Sequence, residues 1–227
     1  WGNPIPPICF GENNENNCLP YLTGDNYTVQ EGRKTGFLLK YDTDNGDLLW
    51  RKNYQGDVNY YNSGVLVFDL QIDSDNVLHT IIGLGEGVHL DGALTVELDE
   101  DENLKYYLVK FNSTTGALIG TPLLLPLEGL PIINNTSFRY DENLNRYYLA
   151  GWRFSSTNNT VSFNGVTFGE ADPSNDSYAY LLSFNPNDLN DWWYNEFTGA
   201  SNARIQGIAI DANSDIYIGG HYFLINS

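Results

Sequence analysis

Apolar and polar residues alternate along most of this chain with a period of two. The stretch at 36–54, GFLLKYDTDNGDLLWRKNY, holds two alternating runs on either side of a cluster of aspartate, asparagine and glycine. Alternation places side chains on opposite faces of a strand, and Asp, Asn and Gly are typical of turns. No segment shows the 3.6-residue apolar stripe of an amphipathic helix. The pattern therefore predicts antiparallel β-hairpins.

The hairpin pattern recurs at a period of about 70 residues. The stretches at 36–54, 106–124 and 179–197 share an aromatic residue before the turn, and these residues, Tyr41, Phe111 and Phe184, are 70 and 73 positions apart. A second pattern aligns Gly83, Gly151 and Gly220 at separations of 68 and 69 residues. Self-similarity at a fixed period is typical of repeat architectures.

Two hairpins per unit amount to a four-stranded antiparallel sheet, which is the blade of a β-propeller. The predicted fold is all-β, with about three blade equivalents that form part of a larger propeller. The predicted units are a partial blade with an insertion at 1–64, blades at 65–134 and 135–204, and a partial blade at 205–227. Since propellers usually need at least four blades, we expect other domains or chains to complete the ring.

Two stretches resemble a known repeat family. IQGIAIDANSDIYIGGHYF at 205–223 and GFLLKYDTDNGDLLW at 36–50 are similar to the repeat of secreted bacterial β-propeller proteins of the Bacteroidetes type, often cargo of the type IX secretion system. The resemblance implies an extracellular or cell-surface location rather than a reaction. The chain departs from the family pattern in its insertion before residue 32 and in the acidic segment ELDEDENLK.

Charge narrows the range of partners. The chain carries 29 acidic and 11 basic residues, a formal net charge of −18. Such a charge repels nucleic-acid phosphates and anionic lipid, so neither is an expected partner. No apolar run reaches the roughly 18 residues that cross a bilayer.

Two cysteines flank a polar segment near the start of the chain. Cys9 and Cys18 bracket FGENNENN, which has no apolar side chain after its phenylalanine. A disulfide would tether this segment and would fit an oxidising, extracellular compartment. The alternatives are two free thiols and a zinc site. A zinc site would need a second pair of Cys or His ligands at the right spacing, and the sequence has none.

The polar cluster in the first hairpin has two interpretations. Asp42, Asp44, Asn45 and Asp47 have the spacing of an oxygen-rich calcium loop, although the glutamate that would close such a loop is missing. A hairpin turn explains the same residues, because Asp and Asn accept local backbone hydrogen bonds and Gly46 tolerates positive φ. Calcium is the only cofactor that the sequence suggests.

The sequence contains no recognisable catalytic motif. His79, His89 and His221 lie in separate repeats without the spacing of metal ligands, and there is no nucleophile elbow or phosphate loop. Paired carboxylates for sugar hydrolysis remain an alternative in so acidic a chain.

Aromatic residues favour a binding role. Trp192, Trp193 and Tyr194 are consecutive in a predicted strand, so neighbouring rings lie on opposite faces, either exposed to a sugar or packed between blades. We therefore expect a non-catalytic extracellular binding or scaffolding module, adhesive or glycan-binding. The alternatives are a carbohydrate-active enzyme domain and a structural spacer in a surface filament.

Overall fold

The structure is a computed structural model that describes residues 37–53, 65–99, 102, 104–128, 137–154, 161–168, 177–197 and 203–222. These residues form seventeen strands and one short 3-10 turn, Leu90–Gly92. The strands are β1 (Phe37–Tyr41), β2 (Leu48–Asn53), β3 (Val65–Ile72), β4 (Val77–Leu84), β5 (Gly87–His89), β6 (Leu94–Val96), β7 (Lys105–Asn112), β8 (Leu123–Leu125), β9 (Leu127–Glu128), β10 (Ser137–Asp141), β11 (Arg146–Phe154), β12 (Val161–Phe163), β13 (Val166–Phe168), β14 (Ser177–Asn185), β15 (Asp188–Glu196), β16 (Arg204–Ile210) and β17 (Ile216–His221).

The described residues confirm the all-β prediction, and every paired strand is antiparallel. Two sheets have four strands each. We call the sheet β3-β4-β7-β8 sheet I and the sheet β10-β11-β14-β15 sheet II. The hairpins β1-β2 and β16-β17 each form a separate two-stranded sheet. Among the described strands, no sheet closes into a barrel.

Both four-stranded sheets carry an addition that the repeat pattern does not predict. The hairpin β5-β6 lies between the second and third strands of sheet I, and β12-β13 lies at the same place in sheet II. The second hairpin has a detectable signal, because Asn164 and Gly165 between alternating apolar residues favour a type I′ turn, and both have positive φ.

Buried side chains pack these elements face to face in chain order. One core joins hairpin β1-β2 to sheet I and includes Leu38 and Phe111. A second core, with Ile81 and Phe184, lies between sheets I and II, and a third, with Leu181 and Ile208, lies between sheet II and hairpin β16-β17. Sheets I and II therefore bury both faces, and each fully buried large apolar side chain contributes roughly 1.5–3 kcal/mol.

The first strands of successive units lie beside one another, in the order β3, β10, β16. Side chains of β3 bond to β10: the Gln71 amide pairs with both backbone groups of Tyr140, at 2.9 and 2.6 Å. The Arg139 guanidinium lies 2.6 Å from the Asp69 carboxylate. These contacts fix the position of one sheet against the next.

The predicted division into units at residues 65, 135 and 205 stays a prediction. The described strands nearest to these positions begin at Val65 (β3), Ser137 (β10) and Arg204 (β16). Cys9 and Cys18 lie outside the described residues, so their predicted disulfide stays a prediction.

Candidate functional site

The aspartates of the first hairpin form a turn. Asp42 Oδ1 accepts the backbone N–H of Asp44 at 2.8 Å, and Asn45 Oδ1 accepts that of Asp47 at 2.9 Å. Asn45 also donates to Asp47 Oδ2 at 2.8 Å, and Gly46 has a φ of 77°. Within the described ranges, no three His, Cys, Asp or Glu side chains converge as a metal site. The geometry is that of the hairpin-turn interpretation.

The same turn chemistry recurs along the chain. An Asp or Asn at the end of the preceding strand accepts the backbone N–H two residues later in six hairpins, at Asp42, Asp73, Asn112, Asp141, Asn185 and Asp211. Side-chain bonds of this kind specify where a strand ends. Asp and Asn therefore recur at this position because the same hairpin turn recurs along the chain.

The three consecutive aromatic residues of β15 lie within the cores between sheets. Trp192 packs against Phe163 at a ring separation of 5.4 Å, and Tyr194 stacks on Phe168 at 3.9 Å. Trp193 lies on the opposite face, 6.0 Å from Tyr148. All three rings are partly buried, so they form no continuous exposed platform.

His79 is the centre of a buried polar group that joins sheets I and II. Its Nε2 lies 2.8 Å from Asp73 Oδ2, and its Nδ1 lies 2.7 Å from the hydroxyl of Tyr147 in sheet II. Because a carboxylate only accepts, neutral His79 donates from Nε2 and accepts the Tyr147 proton at Nδ1. The ring also stacks on Tyr140 at 4.6 Å.

Burial sets the protonation of this group. Burial lowers the pKa of His79, and the nearby Asp73 carboxylate opposes this shift without overcoming it. Burial would raise the pKa of Asp73, but hydrogen bonds from the Val77 backbone and from His79 outweigh it and lower that pKa. Burial also raises the pKa of the Tyr147 hydroxyl.

An Asp–His–Tyr arrangement has the members of an acid–base relay, but this one is closed to a substrate. The side chain of His79 is 1% exposed, and Tyr147 is 0% exposed. A general base has to come within hydrogen-bond reach of the proton that it removes. The arrangement therefore joins two sheets.

Sheet II contains a second buried group of this type. Arg153 Nη2 lies 2.6 Å from Glu196 Oε1, and the Tyr194 hydroxyl donates to Glu196 Oε2 at 2.6 Å. Arg153 is 2% exposed. Burial and the hydrogen bond to Glu196 raise the pKa of Tyr194. These side chains join β11 to β15 across β14.

Hairpin β16-β17 exposes apolar side chains, among them Tyr217 and Ile218. Every residue of β17 after Ile216 is exposed, whereas β4 and β11, the second strands of sheets I and II, are almost wholly buried. A cleft of about 350 Å³ lies between this hairpin and sheet II. Its lining residues are Ala179, Phe197, Ala203, Arg204, Ile205, Ile218, Gly219, Gly220, His221 and Tyr222.

Apolar residues such as Ala203, Ile205 and Ile218 line the cleft, together with the cationic side chain of Arg204. The Arg204 guanidinium lies 4.2 Å from the centre of the Trp152 ring, a cation–π contact. The cleft lies on the face of sheet II that is turned toward hairpin β16-β17, beside the third core. On its other face, sheet II packs against sheet I through the second core.

Comparison with protein-family models, with curated proteins and with solved structures finds no match to this chain. The described residues hold no helix with the length and hydropathy of a membrane span.

Proposed function

We propose that this chain is a non-catalytic binding or scaffolding module of a secreted or cell-surface protein, built as part of a β-propeller. The proposal is based on the way in which the sheets pack on one another. Repeated four-stranded antiparallel sheets pack face to face in chain order, with their first strands adjacent. Successive blades of a propeller have this relation around a central axis.

The chemistry of the described side chains supports a role without turnover. The buried ionisable groups around His79 and Arg153 bond to one another between strands or sheets, and the exposed carboxylates of Asp42 and Asp211 bond to turn backbone. These hydrogen bonds and ion pairs account for the positions of the groups within the fold. The exposed rings of Tyr217 and Tyr222 offer surfaces on which a sugar ring or a protein side chain stacks.

The test presents the 227-residue chain to a glycan array and, separately, to released oligosaccharides, with heat-unfolded chain as the control. We expect no turnover. Binding on the array that the unfolded chain lacks would assign the module to glycan recognition, and an empty array would assign it to scaffolding. Hydrolysis of an oligosaccharide by the folded chain would contradict the proposal.

A further inference from the structure

The cleft between sheet II and hairpin β16-β17 lies at an alanine. Tyr106 in β7 and Ala179 in β14 each lie five residues before the aromatic residue near the end of their strand, which is Phe111 or Phe184. The two residues therefore occupy equivalent positions in the third strands of sheets I and II. Tyr106 fills part of the core between these sheets, whereas Ala179 faces hairpin β16-β17 and has no ring to fill the same space.

The neighbouring strand differs in the same row. In sheet I, Leu125 of β8 pairs with Tyr106 and is 2% exposed. In sheet II, the backbone N–H of Phe197 bonds to Ala179 O at 2.9 Å, and the Phe197 side chain lines the cleft and is 39% exposed. An exposed aromatic ring beside a cleft is a surface on which the apolar part of a ligand packs.

Arg204 supplies a positive charge to the cleft. Arg139, Arg146 and Arg153 each lie 2.6–2.7 Å from a carboxylate oxygen. No carboxylate in the described part of the chain lies within ion-pair distance of Arg204, and its Nε is buried without a hydrogen-bond partner there. Because charges that are partly removed from water are stabilised by a partner of opposite sign, Arg204 favours an anion in the cleft.

The position of Arg204 suits a carboxylate in particular. Its guanidinium lies 4.2 Å from the centre of the Trp152 ring, and Ile205, the next residue of β16, is buried in the third core. Stacking on a ring leaves the N–H groups directed outward in the plane of the guanidinium. A carboxylate at that edge accepts two parallel hydrogen bonds.

The rest of the lining limits the ligand to a small and largely apolar molecule. Most lining residues are apolar, so a ligand rich in hydroxyl groups would leave many of them without hydrogen bonds. The volume of about 350 Å³ is near the lower end of the range of roughly 300–1,000 Å³ for ligand sites. The net charge of −18 repels polyanions, and it opposes a single carboxylate far less.

We propose that this cleft binds a small molecule that carries one carboxylate on an apolar ring or chain. The carboxylate pairs with Arg204, and the apolar part packs over Ala179 between Phe197 and Ile218. The proposal rests on the non-catalytic binding role proposed above, and it names the class of ligand.

The test titrates phenylpropionate and octanoate into the 227-residue chain at neutral pH and measures the heat of binding. The uncharged amides of both acids are the matched ligands. We expect saturable binding of at least one acid and roughly tenfold or more weaker binding of its amide, because a hydrogen-bonded charge pair is lost. Arg204→Gln should weaken binding of the acid by a similar factor and leave that of the amide nearly unchanged.

Lys110→Gln is the matched control variant. It also removes one positive charge, and Lys110 also lies over an aromatic ring, 6.0 Å from the centre of Tyr140, but it belongs to β7 of sheet I. This variant should bind the acid as the wild-type chain does. Ala179→Leu places a larger side chain in the cleft and should lose both the acid and the amide. Thermal unfolding followed by circular dichroism checks that each variant is folded.

A folded wild-type chain that binds neither acid would overturn the proposal, as would equal affinity for the acid in Arg204→Gln. Binding of a peptide with a C-terminal phenylalanine carboxylate, without binding of the free acids, would overturn the small-molecule class. A signal on the glycan array from a chain that binds neither acid would leave the proposed binding role intact and contradict only this ligand class. Chemical change of the acid after incubation would contradict the non-catalytic role itself.

Discussion

At the scale of residues, the buried histidines connect stability to pH. Neutral His79 satisfies both Asp73 and Tyr147, and a proton on Nδ1 would displace the hydrogen that the Tyr147 hydroxyl donates. Around the ring, Lys110 disfavours the charged form, and the Asp73 and Glu142 carboxylates favour it. Burial is the largest influence, and it lowers the pKa of His79. Burial also lowers the pKa of His89, despite its bond to Gly85 O.

We therefore predict that the free energy of unfolding falls as the pH is lowered below 6.5, the ordinary histidine pKa. In that range the unfolded chain takes up protons that folded His79 and His89 resist. Each histidine contributes a slope of at most about 1.4 kcal/mol per pH unit. Urea titrations at several pH values measure the slope. His79→Gln should reduce it, and an equal slope in that variant would contradict the assignment to His79.

At the scale of elements, the sequence predicts hairpins and their period well, because Asx turns and alternation are local signals. Register is harder to predict. The alignment of Gly83 with Gly151 is wrong by one residue, since Leu78 pairs with Phe111 whereas Tyr147 pairs with Phe184. Tyr147 lies six residues after the turn aspartate Asp141, whereas the equivalent Leu78 lies five residues after Asp73, so Gly83 lies level with Trp152.

The candidate sites show the same limit. The sequence predicts the turn around Asp42, and it predicts that Trp192 and Trp193 lie on opposite faces of their strand. It gives no sign that His79 meets Tyr147, because that contact joins residues 68 positions apart and depends on how two sheets pack. The cleft beside Ile218 also depends on packing.

We predict that the Asn164–Gly165 turn controls the stability of hairpin β12-β13. Gly165 has a φ of 73° and no atom near the position of an added Cβ, so Gly165→Ala costs only backbone strain, roughly 1–2 kcal/mol. Gly207→Ala is the matched control, because Gly207 also has open space but no positive φ. Chemical denaturation compares the two, and equal stabilities would contradict the strained turn.

At the scale of the whole molecule, the net charge of −18 opposes the compact fold, because acidic turns repel one another. In a four-stranded meander, the turn between the first two strands and the turn between the last two lie at the same end. Sheet I shows their proximity, since Ser113 N bonds to Asn76 O at 3.0 Å across its two turns. Folding also brings the acidic turns of sheets I and II close to each other: burial raises the pKa of Tyr140, and the carboxylates of Asp73, Glu142, Asp141 and Asp75 add to this shift.

We predict that salt stabilises the folded chain. Like charges about 10 Å apart repel by roughly 0.4 kcal/mol per pair in water, and the screening length falls from roughly 30 Å at about 0.01 M salt to roughly 3 Å at about 1 M. Urea titrations at several salt concentrations measure the free energy of unfolding, which should rise with salt because screening weakens the repulsion between the acidic turns. Asp75→Asn removes one of these charges and should weaken the dependence. A free energy of unfolding that falls with salt would mean that ion pairs such as that between Arg139 and Asp69 outweigh the repulsion.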